Sequence, residues 1–108
     1  MNALGEIDAE AKLCTKEWAV EHPADGTGGP DAERAADTMR QAVAQSFAEG
    51  NGTWRGLLMQ QVLDAFATGD DIDLRAELLA VAGFALCWVR EIDSRQTARL
   101  LAVQKSNG

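Results

Sequence analysis

Leu78-Leu79-Ala80-Val81-Ala82-Gly83-Phe84-Ala85-Leu86-Cys87-Trp88-Val89 is the stretch that decides the fold. It shows no strand alternation and reads as the interior of a helix that is apolar all round. Such a helix must be covered on every side. At 12 residues the run falls well short of the roughly 20 needed to span a bilayer. Three companion helices of moderate length cover part of it, and a subunit interface explains the rest better. The run therefore predicts an all-α domain completed by packing against a second chain.

Working outward, Thr68-Gly69-Asp70-Asp71 breaks the chain before this helix, and Asp71 or Asp73 is placed to cap it. The spacing predicts a fourth helix from Leu74 to about Val103, and the tail from Ser94 to Gly108 turns polar and is expected to fray. The third helix begins after Thr53, a natural cap, and carries Trp54, Leu57, Leu58, Val62, Ala65 and Phe66 on one side. The second starts at Pro30, whose fixed φ suits a first helical position, with Asp31 and Glu33 at the positive end. Its stripe is Ala32, Ala36, Met39, Val43 and Phe47, and Gly50-Asn51-Gly52 stops it. In the first helix Leu4, Ile7, Ala11, Cys14 and Trp18 form the stripe, and His22-Pro23 ends it. Residues 23–30 are a glycine-rich turn or a flexible link.

The chain has 108 residues, room for one domain: a core over about 3–95 and a polar tail over 96–108. The formal net charge of −7 disfavours direct nucleic-acid binding, because it would repel a phosphate backbone. The N-terminus lacks the basic-then-apolar pattern of a secretory signal, and no segment is long enough for a membrane span. Cys14 and Cys87 are far apart, without a CxxC motif, and read as buried thiols of a cytoplasmic protein. His22 is the lone histidine and no nucleophile–base constellation accompanies it, so no catalytic residue is assigned.

The third helix holds one anomaly. At 100° per residue Gln61 falls inside the apolar stripe between Leu57 and Ala65, with Gln60 and Asp64 at its edge. Glu77, early in the fourth helix, shares a side with Val81, Phe84 and Trp88. Polar groups aimed into a bundle are costly unless paired or ligating something. Two readings follow: a hydrogen-bonded cluster at a partly wet edge, or a site for a divalent metal held by carboxylates from neighbouring helices. Two glutamines and an aspartate are a poor version of the second.

Several segments, in order, resemble one family. Ala3-Leu4-Gly5-Glu6-Ile7, Trp18 and His22-Pro23-Ala24-Asp25-Gly26-Thr27-Gly28 resemble the opening of MazG-like proteins common in actinobacteria and their phages. Thr53 to Phe66 resembles their first metal-binding helix, and Leu74 to Ala82 with Trp88 to Arg95 their last long helix. The resemblance implies a four-helix bundle that assembles as a dimer or larger homo-oligomer. It also implies a magnesium-dependent cleavage of nucleoside triphosphates to monophosphate and pyrophosphate. Where the family carries glutamates this chain has Gln60, Gln61 and, more mildly, Asp64; Glu77 keeps the motif acid, and Ala80 stands where many relatives offer another ligand.

The metal ligands so implied are Asp64 and Glu77, vestigial, with Gln60 and Gln61 in ligand-equivalent positions. An amide oxygen can ligate but neither neutralises a dication nor acts as a general base. Magnesium binding is therefore expected to be weak. The expected function is that of a degenerate relative binding a nucleotide or a protein partner, such as a host factor, rather than catalysing. A weakly active pyrophosphohydrolase and an acidic helical interaction protein are the alternatives.

Overall fold

In a computed structural model, which describes residues 2–107, the chain is all-helical, with no strand among those residues. The order is α1 (Ala3–Trp18), a 3₁₀ turn over Ala19–Glu21, α2 (Pro30–Ala48), α3 (Trp54–Phe66) and α4 (Asp71–Asn107). The four expected helices are all present, and their boundaries follow the local chemistry. Asn2 caps α1 by accepting from the Gly5 N–H, and Thr53 caps α3 by accepting from the Gly56 N–H at 3.0 Å. Pro30 opens α2. At its other end the Gly50 N–H donates to the Phe47 carbonyl and the Asn51 N–H to that of Ser46. This double closure needs a left-handed residue, supplied by Gly50 at φ +79°.

Three expectations about α4 are corrected. Its start is one turn earlier than Leu74, and the cap is Asp70 rather than Asp71 or Asp73. The Asp70 carboxylate accepts from the N–H of Ile72 at 2.7 Å and, more weakly, from that of Asp73 at 3.4 Å. The tail does not fray at Ser94: the helix runs on to Asn107. The reason is local, since the segment after Asp93 has neither proline nor glycine before Gly108 and is rich in good helix formers such as Arg95, Ala98, Leu100 and Ala102. Gly108 itself lies outside the described residues.

The chain divides into two compact units: His22–Ala85, and Met1–Glu21 with Leu86–Gly108. The central unit holds α2, α3 and the first part of α4. Its buried residues are Ala36 and Val43 of α2, Ala65 of α3 and Leu74 of α4. Small side chains at Ala36 and Ala65 remove the bulk that would hold helix axes apart. The glycine-rich segment is an ordered part of this unit, not a loose link: the Gly28 N–H donates to the Phe66 carbonyl at 2.7 Å. Gly28 has φ +89°, and a Cβ there would stand 3.3 Å from the Gly69 Cα. The loop thus closes against the α3–α4 turn.

The terminal unit pairs α1 with the later part of α4. Among its described residues only Ala3 is buried. Cys14 and Cys87 are both free and both exposed, which corrects their reading as buried thiols. Cys14 does lie on the apolar stripe of α1, but that stripe is itself largely uncovered, Trp18 being 63 % exposed.

Candidate functional site

Gln60, Gln61, Asp64 and Glu77 all lie in the central unit, and three of them enter two separate polar pairs, Gln61 with Glu77 and Asp64 with Arg40. Gln61 and Asp64 are almost one turn apart on α3. The Gln61 side-chain amide donates to the Glu77 carboxylate of α4 at 2.5 Å and leans toward the Glu77 carbonyl at 3.5 Å. Both side chains belong to half-buried residues, where an unpaired carboxylate would be costly. Gln60, also half-buried, takes no part in either pair.

Asp64 is engaged from the other direction. Arg40 of α2 donates through Nη2 to its carboxylate at 2.9 Å and through Nη1 to Asp37 at 2.7 Å. Asp64's side chain is only 20 % exposed, so the guanidinium is its main neutralising neighbour. In return the hydrogen bond that Arg40 donates to Asp37, then the charge of Asp64, raises the pKa of Arg40 above its already high ordinary value. The Asp64 backbone carbonyl also accepts from the Thr68 hydroxyl at 2.9 Å, which ties the end of α3 to the turn that follows.

Arg40 is the residue that sequence reasoning missed. A signal was there: Arg40 follows Ala36 by four and precedes Val43 by three, both on the apolar stripe of α2. An arginine beside such a seam can run its stem along the apolar surface and carry its charge to the neighbouring helix. Nothing in the spacing says which carboxylate it meets.

These residues do not fit a resident magnesium ion as they stand. Magnesium wants several oxygens in near-octahedral array. Here one carboxylate is held by a guanidinium, the other accepts from an amide N–H, and the remaining donors are neutral amides. Among the described residues no three His, Cys, Asp or Glu side chains gather in a group that could hold a metal ion. The arrangement can hold α2, α3 and α4 in register.

Two grooves are lined by residues other than these four. A groove of about 430 Å³ in the central unit is lined by Asp25, Asp71, Leu74, Arg75, Leu78 and Leu79. Leu78 and Leu79 are 50 % and 56 % exposed, so the first turns of the apolar run are uncovered in the single chain. In the terminal unit a groove of about 320 Å³ is lined by Ala3, Glu6, Ile7 and Glu10 of α1 and Val89 of α4. Among the described residues no helix is long and apolar enough to cross a membrane. No family model, no curated protein and no solved structure matches the chain.

Proposed function

We propose that this protein is a degenerate MazG-like protein that acts by binding, as a homo-oligomer in the cytoplasm, and not by nucleotide hydrolysis. The observation that carries the reading is the Arg40–Asp64 pair, 2.9 Å long. A cation built into the chain occupies the carboxylate that the family resemblance would give to magnesium. The second acid, Glu77, accepts from Gln61, an amide where the resemblance expects a glutamate. A pair of acids held one by a guanidinium and the other by an amide is poorly arranged to hold a dication and ready a water.

Of the two ligand classes open to such a relative, protein is favoured over nucleotide. Phosphates need free donors and net positive charge, and the cation at the polar patch, Arg40, is already held by Asp37 and Asp64. Half-exposed Leu78 and Leu79 beside Asp71 and Arg75 offer instead an apolar floor with a charged rim, as protein interfaces have. Uncovered leucines on an apolar helix also support self-association.

The test is a turnover panel of nucleoside triphosphates with magnesium and with manganese, run beside the Gln60→Glu/Gln61→Glu variant. Wild type should release no pyrophosphate, and its melting temperature should not respond to magnesium beyond a matched ionic strength of sodium chloride. The double variant should melt lower in chelator and recover on adding magnesium, as a relic of metal-site geometry would. Wild-type turnover abolished by Glu77→Gln would overturn the reading in favour of a weakly active pyrophosphohydrolase.

A further inference from the structure

The two helices of the terminal unit carry matched, uncovered faces. On α1 the apolar stripe Leu4, Ile7, Ala11, Cys14, Trp18 is edged along one side by Glu6, Glu10 and Glu17, four and seven residues apart. On α4, Val89, Ile92, Leu100 and Val103 recur at helical spacing with Gln96 between them, and Arg95 and Arg99 edge that stripe. From Ser94 to Asn107 the helix has no acid. Within one chain Val89 lines a groove with Ala3, Glu6, Ile7 and Glu10. Beyond it Leu100 is 66 % exposed, and Leu4, Trp18, Ile92 and Val103 are exposed as well. One stripe has an acidic edge and the other a basic edge, and neither is filled by its own chain.

We infer that α1 of one protomer docks on the α4 segment Ile92–Val103 of a second copy, so that a two-fold pair forms two such contacts. The occupant follows from the charges. An acid-edged apolar helix is complemented by a base-edged one, and this chain carries both. The inference rests on the homo-oligomeric part of the function proposed above and names the surface that makes it. In a two-fold interface each patch meets the other patch of its partner, so a single reversal of charge is felt twice.

The experiment is a charge swap read as molar mass by light scattering and sedimentation at micromolar concentration. One variant carries Glu10→Arg and Glu17→Arg, the other Arg95→Glu and Arg99→Glu. All four side chains are exposed, so both variants should keep the wild-type helical circular dichroism. Wild type should be dimeric, each variant alone should self-associate at least tenfold more weakly, and their equimolar mixture should recover the dimer. Raising sodium chloride should loosen both the wild-type and the mixed dimer. Variants that remain as dimeric as wild type would overturn this surface while leaving self-association standing. A monomeric wild type would sink the surface and the homo-oligomer together. Nucleotide turnover, measured separately, bears on neither result.

Discussion

The central unit and the terminal unit are built from the same kind of amphipathic helix, yet they are finished to different degrees. In the central unit α2, α3 and the start of α4 bury Ala36, Val43, Ala65 and Leu74, and cross-helix polar pairs close its wet edge. In the terminal unit the side-chain hydrogen bonds are local ones along a single helix, such as the Asn2 cap and Thr15 to the Ala11 carbonyl. Its large apolar side chains remain in water. The difference teaches that amphipathic spacing makes helices, but contacts between helices make a unit stable by itself. One region is closed by contacts within the chain, and the other leaves its apolar faces uncovered.

The harshest way to break the comparison is to put one charge into each unit. Ala65, 1 % exposed, has no room and no partner for a carboxylate. Ala65→Asp should cost about 3 kcal/mol or more in urea unfolding, whereas Leu13→Asp on exposed α1 should cost under about 0.5 kcal/mol. Equal losses would mean that the terminal unit is as tightly built as the central one.

The next test exchanges a donor for a like charge. Gln61→Glu sets a second carboxylate against Glu77 and should destabilise by roughly 1–3 kcal/mol at neutral pH. The loss should shrink on acidification, as one of the pair takes up a proton. A loss that is constant with pH would show that the Gln61–Glu77 contact is not what holds α3 to α4.

Capping sharpens the contrast at a finer level. Thr53→Ala should remove about 1 kcal/mol of global stability, because α3 cannot fray without loosening Ala65. The same change at Asn2 should alter only hydrogen exchange in the first turn of α1, leaving the urea midpoint in place. Smallest of all is the Arg40 pair, which is half open to water and screened by salt. Arg40→Gln should lower the melting temperature by only a few degrees, and less so in 1 M sodium chloride. The pKa of Arg40 is raised in the folded protein by its carboxylate neighbours, so the pair's contribution is level across neutral pH, where both partners are charged. The loss on substitution should therefore be level between pH 6 and 9, and a slope there would point to a different partner for Asp64.

Much of the fold was legible without coordinates. Local chemistry decides where helices start and stop, so Pro30, Thr53 and Gly50 could be read directly, as could the stripes that the helices carry. The sequence also marked Gln60, Gln61, Asp64 and Glu77 as misplaced polar residues, since an amide inside an apolar stripe is visible from spacing alone. Tertiary structure decided everything that depends on which faces meet. It paired Asp64 with an arginine 24 residues away, set the Gln61 amide on Glu77, and closed the glycine-rich loop on the end of α3. It left Cys14 and Cys87 in water although each lies on an apolar helical face. The reason is physical: periodicity reports that a face is apolar, but burial requires a second surface. For α1 and the end of α4 the single chain does not supply one.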